Sequence, residues 1–183
     1  MDSYKIIIEN KKNKRNKTLI YSSFLDAGSR LVMKRLDKIG LPYVKVDGTM
    51  SKNKRKQAVE DYNKGVVNVI FISKAGGEGL DLKGTRHVII TEPAWNDANL
   101  EQVKGRAIRF KSHAHLPADE QHVDIWNLYL VKPPEDKRDE GDDKEAIDLI
   151  IADQANKKKE VIDEFLARLE PLSIENNDCT SAA

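Results

Sequence analysis

The sequence predicts an α/β fold in which a parallel sheet is sandwiched by helices and followed by a C-terminal helical extension. Five short apolar runs alternate with segments of helical periodicity along the 183 residues. The run Thr18–Ser22 is short, apolar and bounded by polar residues, which is typical of a strand buried in a parallel sheet. Polar or glycine-rich residues follow the runs, at the sheet edge where parallel sheets bind ligands.

Five segments are predicted as strands, and the third of them is the most β-branched stretch of the chain. They are Thr18–Ser22, Tyr43–Val46, Val66–Ile72, Arg86–Ile90 and His122–Val131. An earlier segment, Tyr4–Glu9, fits a strand and a short amphipathic helix equally well.

Helical periodicity fills the intervals between strands. The first predicted helix ends at Gly40 and carries the apolar residues Leu31, Val32, Leu36 and Ile39. The second is capped by Ser51 and ends near Gly65, because serine accepts hydrogen bonds at helix starts and glycine adopts the conformation that ends them.

The third predicted helix, Asn99–Arg109, has two distinct faces. Its apolar stripe, which fits a core, consists of Leu100, Val103 and Ala107. Its polar stripe, at i, i+4 and i+7, consists of Gln102, Arg106 and Arg109. Two guanidiniums on one face suit a phosphate or carboxylate partner. The alternative is a solvated surface helix without a ligand.

The composition divides the chain into five segments. A lead-in at 1–16 precedes the α/β domain at 17–132, and an acidic linker at 133–144 follows it. One or two amphipathic helices at 145–170, interrupted by Lys157–Lys159, and a flexible tail at 171–183 complete the chain.

The net charge of +1 hides an asymmetry along the chain. Up to Lys64 there are 16 Lys and Arg against 7 Asp and Glu, whereas from Pro133 onward there are 7 against 15. A basic front fits a nucleic-acid partner, although solubility alone also accounts for it. The single Cys179 excludes an intrachain disulfide, and the absence of a signal peptide and of a membrane-length apolar run leads us to expect an intracellular protein.

The glycine-rich segment Ser73–Asp81 directly follows the third predicted strand. Glycines let the backbone approach a ligand, and exposed N–H groups there can hold a phosphate. The segment matches neither the dinucleotide fingerprint nor the P-loop, and the chain contains no Walker-type lysine. The sequence therefore predicts part of a nucleotide site rather than a complete one.

The order of these segments resembles the second RecA-like domain of superfamily 2 helicases on the Swi/Snf-like side. Lys17–Phe24 resembles motif IV, Val46–Thr49 the segment after it, Ser73–Leu82 motif V and Gln102–Arg109 motif VI. Two further segments add to the resemblance: Pro93–Asn96 is similar to the tryptophan turn of the family, and Phe110–Pro117 to helicases of poxviruses and other large DNA viruses. The resemblance covers about residues 17–131.

The resemblance implies a site shared between two domains. In the family, an N-terminal RecA-like domain carries Walker A and B and binds most of the ATP and Mg²⁺. The second domain supplies motif VI residues to the γ-phosphate, and these correspond here to Gln102, Arg106 and Arg109. We would not expect this chain alone to hydrolyse ATP.

By the same resemblance, Gly79 and Asp81 would lie near the nucleotide ribose. Nucleic-acid phosphates, of DNA or alternatively of RNA, would contact Ser73, Gly48 and Thr49. One departure matters: the Swi/Snf branch often has Asp-Arg-Ala-His-Arg where this chain has Gly105–Arg109, which leaves translocation and strand separation both open. The compartments implied are a viral factory, a virion or the nucleus, and no membrane.

Other candidate residues have simpler explanations. His113 and His115 lack the second ligand pair of a metal site, and we predict no metal bound there. Trp95 and Trp126 are interpreted as packing residues, and Lys157–Lys159 as a solvated face. Two rival functions remain at this stage. One is a stand-alone nucleic-acid-binding module, and the other is a scaffold whose C-terminal helices bind a partner.

Overall fold

The computed structural model describes residues 16–23, 29–76, 79–94, 97–131 and 146–172. Within these residues the sheet has five strands, all parallel, in the order β2-β3-β1-β4-β5. The strands are β1 (Lys17–Tyr21), β2 (Tyr43–Val46), β3 (Val69–Ile72), β4 (Thr85–Ile90) and β5 (Asp124–Asn127). The α/β class predicted from the sequence is confirmed.

Four helices accompany the sheet in the described residues: α1 (Ser29–Ile39), α2 (Lys52–Asn63), α3 (Asp97–Ala107) and α4 (Ile147–Leu169). Short 3₁₀ turns lie at Ala118–Glu120 and Glu170–Leu172. The C-terminal segment forms one continuous helix through Lys157–Lys159 rather than two. The lysines at its middle are exposed, and two of them pair with Asp153 and Asp163 at 2.6 and 2.7 Å.

Two apolar clusters cover opposite faces of the sheet. One contains Ala58 and Tyr62 of α2 together with the three residues predicted for the apolar stripe of α3, Leu100, Val103 and Ala107, all of them buried. The other packs Leu36 of α1 on the opposite face and includes Trp126 at its margin. Helices on both faces explain why β3 is apolar throughout and why the last three residues of β1 and of β4 are apolar, since neither face of these strands meets water.

The structure differs from the prediction in the bounds of two strands and in the apolar face of one helix. β3 begins at Val69 rather than Val66, because the N–H of Val66 instead caps α2 by donating to Asp61 O at 2.9 Å. β5 is shorter than predicted, because Leu130 leaves the sheet and donates its N–H to Asp148 at 2.7 Å. On α1, Leu31 is exposed rather than part of the apolar face.

The capping prediction for α2 is confirmed at both ends. The hydroxyl of Ser51 accepts a hydrogen bond from the N–H of Lys54 at 3.4 Å, and Gly65 has a φ of +75°, which favours glycine after a helix. The predicted lead-in at 1–16 except its last residue, the predicted linker at 133–144, the tail from 173, and the residues Cys179 and Trp95 lie outside the described residues.

A buried lysine joins three segments at the amino ends of the strands. Lys17, at the start of β1, is 7% exposed, and its Nζ donates to the carbonyl oxygens of Asn63 and Lys83 at 2.9 and 3.1 Å. The ammonium also lies 5.3 Å from the centre of the Tyr62 ring. Burial lowers the pKa of Lys17. The cation therefore stabilises the C-terminal end of α2, where carbonyl groups are unpaired.

Candidate nucleotide and nucleic-acid site

Four polar residues follow the carboxyl ends of neighbouring strands, as the sequence predicts. They are Ser22 after β1, Asp47 after β2, Ser73 after β3 and Thr91 after β4. Ser22 Oγ and Thr91 Oγ1 both donate to the carboxylate of Glu92, at 3.1 and 2.6 Å. Hydrogen bonds between loops therefore hold this edge of the sheet together.

The turn after β2 is closed by its own aspartate. Asp47 Oδ1 accepts from both the N–H and the hydroxyl of Thr49, at 2.9 and 2.6 Å, and Lys45 pairs with the other oxygen at 3.1 Å. The hydrogen bond from the Thr49 hydroxyl is the main cause that lowers the pKa of Asp47. Gly48 and Thr49 are exposed, but both donors of Thr49 are already engaged.

The glycine-rich loop after β3 packs directly against this turn. Ser73 donates its N–H to Val46 O at 3.1 Å, and its hydroxyl accepts from the N–H of Gly76 at 3.1 Å. A Cβ at Gly76 would overlap the carbonyl of Val46, and one at Gly48 would lie 2.9 Å from the Cβ of Ala75. These two glycines therefore let the two loops touch each other. Gly79 is exposed, with a φ of +72° and open space around it.

The prediction that Arg109 lies on the same helical stripe as Gln102 and Arg106 is wrong. The helix α3 ends at Ala107, and Arg109 lies in the turn that follows. Gln102 is exposed and Arg106 is half-buried. The cause is Ser112, whose Oγ lies 3.2 Å from Ala107 O and accepts the N–H of Arg109 at 3.3 Å, in place of a helical acceptor.

Arg109 instead meets the end of the glycine-rich segment. Its Nη1 lies 3.6 Å from Asp81 Oδ1, and both side chains are about half exposed. The N–H of Leu82 donates to Arg106 O at 3.4 Å, which joins the two segments through the backbone as well. Asn63, the last residue of α2, donates its side-chain amide to Asp81 O at 2.9 Å. The candidate nucleotide residues thus meet beside the C-terminal ends of α2 and α3.

Six of the eight predicted site residues therefore form two groups, which leave out Gln102 and Gly79. We define the edge group as Gly48, Thr49 and Ser73, at the carboxyl ends of β2 and β3. We define the face group as Asp81, Arg106 and Arg109. Because α2 and α3 run back from the carboxyl edge, their C-terminal ends lie towards the amino ends of the strands. The expectation that the polar and glycine-rich segments lie at the carboxyl edge of the sheet is therefore wrong for the face group.

The sequence motifs assign no role to two residues that follow motif VI. Ser112 is buried, and its Oγ lies 2.8 Å from Nδ1 of His113. The other ring nitrogen of His113 lies 2.6 Å from Thr85 O at the start of β4. The signal that could have found them is the position of a serine and a histidine a few residues after the paired arginines.

The described residues contain no group of three or more His, Cys, Asp and Glu side chains that could hold a metal ion. His113 contacts a serine and a carbonyl instead. Among the same residues, no helix combines the length and the apolar character needed to cross a membrane.

Comparisons with known proteins identify the family of this chain. Residues 2–111 match the family described as "Helicase conserved C-terminal domain". A protein of Acanthamoeba polyphaga mimivirus, named as an ATP-dependent RNA helicase, is 36% identical over 159 residues, which are 87% of this chain and 34% of that protein. The "Termination factor NPH-I homolog" of an African swine fever virus isolate from Kenya is 50% identical over 65 residues, 36% of this chain and 9% of that protein.

A solved structure, the C-terminal part of the Fun30 ATPase domain, superposes with a TM-score of 0.65 at 22% identity and covers 84% of this chain and 44% of that one. At this identity the likeness concerns the fold alone. The chain spans about a third of the length of the mimivirus relative. The family match covers more than half of the chain, and the resemblance predicted from the motifs is confirmed: the chain belongs to the helicase conserved C-terminal domain family of superfamily 2 helicase-like proteins.

Proposed function

We propose that this chain is the C-terminal motor domain of an NTP-dependent nucleic-acid helicase or translocase. In this proposal Arg106 and Arg109 contact the γ-phosphate of ATP, which an N-terminal RecA-like domain holds on its other side. The observation that carries the proposal is the meeting of Arg109 with Asp81 on one exposed surface, next to the backbone bond between Leu82 and Arg106.

The Arg109 guanidinium has the properties that phosphoryl transfer requires. It is about half exposed, and its ion pair with Asp81 at 3.6 Å is open to solvent. Pairs of this kind contribute roughly 0.2–1 kcal/mol, so an incoming phosphate can displace the carboxylate at small cost. A guanidinium that meets developing phosphate charge across a closing cleft stabilises the transition state.

Arg106 and Gln102 complete the proposed nucleotide surface. Arg106 is half-buried, and its own carbonyl is fixed by the N–H of Leu82. Gln102 lies one helical turn earlier on α3, exposed to solvent. Gly79 and Asp81 would line the ribose side. The Mg²⁺ that accompanies ATP would be held mainly by the other domain.

The edge group is proposed to contact nucleic-acid phosphates. Ser73 is the stronger candidate, because its oxygen accepts from Gly76 while its hydroxyl proton can still donate to a phosphate. Both donors of Thr49 go to Asp47, so Thr49 and Gly48 would contact a phosphate only when this turn opens. Phosphate contacts do not read sequence, and both DNA and RNA are candidate ligands.

The proposal is tested in the intact gene product that contains this chain. Arg109→Ala and Arg106→Ala should lower the kcat of ATP hydrolysis by about 10³-fold or more, because an arginine finger contributes about 10³–10⁵ in kcat. The matched control is Arg30→Ala, which removes an exposed arginine of α1 on the opposite face of the sheet.

Nucleotide affinity should change little in the two arginine variants, because most of the nucleotide would contact the other domain. Turnover unchanged in both variants would contradict the arginine assignment. It would favour the alternative of a nucleic-acid-binding or partner-binding module that keeps the fold without an ATPase role.

A further inference from the structure

The turn that carries Arg109 is strained and closed by one side chain. Lys111 has a φ of +62°, the only positive φ among the described residues that are not glycine. Residues other than glycine rarely adopt this region and persist in it only where surrounding contacts impose it. Those contacts include the Ser112 N–H, which donates to Arg109 O at 3.0 Å, and the Ser112 hydroxyl, which accepts from the N–H of Arg109 at 3.3 Å.

The ring of His113 sets the direction of the Ser112 hydroxyl. Thr85 O can only accept, so the Nε2 atom of His113, 2.6 Å away, carries a proton. In the neutral ring Nδ1 is then an acceptor, and it lies 2.8 Å from Ser112 Oγ, closer than Ala107 O at 3.2 Å, so the single hydroxyl proton goes to the ring. The lone pairs of Ser112 Oγ remain available for the N–H of Arg109.

The far end of this chain of hydrogen bonds is anchored in the core. Thr85 is completely buried, and its Oγ1 lies 2.9 Å from the hydroxyl of the equally buried Tyr62. Ser112 is 4% exposed, whereas the Arg109 side chain is about half exposed. The contacts therefore run from the rigid start of β4 to the backbone of a solvent-facing arginine.

We propose that Ser112 and His113 are positioning residues that fix the backbone of Arg109, so that its guanidinium meets the nucleotide phosphate at a set place. The proposal rests on the function proposed above for Arg109. Neither residue touches the nucleotide in this scheme; each acts through Arg109. The unfavourable backbone conformation of Lys111 is a consequence of holding the turn in this fixed geometry.

The first test measures ATP turnover by the intact gene product. Ser112→Ala and His113→Gln should each lower kcat by about 10- to 100-fold, because a misplacement of about 1 Å can cost about 10²-fold. The KM for ATP should stay nearly constant, because the lost interaction is made in the transition state. Ser29→Ala is the matched control, since Ser29 is fully buried in α1 on the other face of the sheet. Unchanged kcat in both variants would overturn the proposal.

A double-mutant cycle separates positioning from general damage. If Ser112 acts through Arg109, Arg109→Ala combined with Ser112→Ala should be no slower than Arg109→Ala alone. Losses that multiply would show that Ser112 acts independently of Arg109 and would overturn the proposal.

Amide hydrogen exchange gives a readout that does not depend on turnover. The N–H of Arg109 should exchange faster in Ser112→Ala and in His113→Gln, while the N–H of Ile108, which donates to Lys104 O at 2.8 Å, should keep its protection. Unchanged exchange at Arg109 would overturn the proposal. If Arg109→Ala itself leaves turnover intact, the proposed function fails, and the exchange result alone then decides whether Ser112 fixes Arg109.

Discussion

The edge group and the face group are built in opposite ways. Around the edge group, two loops pack backbone against backbone, with Gly76 pressed on the carbonyl of Val46 and Ser73 bonded to the same residue. In the face group, the principal side-chain contact is the solvent-open pair of Arg109 with Asp81. The edge group is therefore fixed by backbone packing, whereas the Arg109 guanidinium of the face group can exchange its carboxylate partner for another anion at small cost.

Arg109→Ala is the substitution with the largest expected effect, which is the loss of ATP turnover.

Gly76→Ala should be the most destabilising substitution at the edge. The added Cβ would overlap the carbonyl of Val46, and overpacking of this kind costs about 1–3 kcal/mol in the free energy of unfolding. Gly105→Ala is the matched control, because Gly105 lies in α3 with open space around its Cα. That control should stabilise the protein by roughly 0.5–1 kcal/mol. If Gly76→Ala and the wild-type protein had equal free energies of unfolding in urea, the two loops would not be closely packed.

Ser73→Ala should separate the two groups by function. Loss of one hydrogen bond to a phosphate costs about 0.5–1.5 kcal/mol, which corresponds to roughly 2- to 12-fold in the Kd for single-stranded DNA or RNA. The KM for ATP should not change. Arg109→Ala should give the reverse pattern, with nucleic-acid affinity kept and turnover lost. If Arg109→Ala lost as much nucleic-acid affinity as Ser73→Ala, the edge group and the face group would belong to one site rather than two.

The smallest expected effect is a pH dependence at the turn after β2. Hydrogen bonds from Thr49 and the charge of Lys45 hold the pKa of Asp47 below its ordinary value. The unfolded chain therefore binds this proton first as pH falls, and the stabilisation present above about pH 4 is lost below it. Wild-type protein should lose stability relative to Asp47→Asn as pH falls from 5 to 3. A stability difference between the two proteins that is the same at every pH would show that the ionisation of Asp47 does not stabilise the folded protein.

The sequence was sufficient where local pattern and burial agree. The bounds of β2 match the prediction, as do the cap at Ser51 and the buried stripe of α3. These features depend on residues close together in the chain, whose periodicity and capping chemistry can be read directly.

The predictions from the sequence fail where residues from other segments determine the local structure. Nothing between Ala107 and Arg109 is a glycine or proline, so the end of α3 has no local signal and depends on Ser112, His113 and the far carbonyl of Thr85. In the same way, Gly76 was interpreted as a ligand-approach glycine, and its contact with Val46 appears only when the two loops meet. The assignment of the individual site residues stays a prediction for the experiments above.

The chemical reactivity of the buried Lys17 amine can report on local opening of the structure at the amino ends of the strands. Its Nζ contacts Asn63 and Lys83, residues separated from it by 46 and 66 positions, so an amine-selective reagent reaches it only when those segments part. Burial lowers the pKa of Lys17, and the side chain regains the ordinary pKa of a lysine when it becomes exposed. The labelling rate of Lys17, compared with that of exposed Lys64, therefore measures how often this end of the sheet opens, and it does so without any ligand.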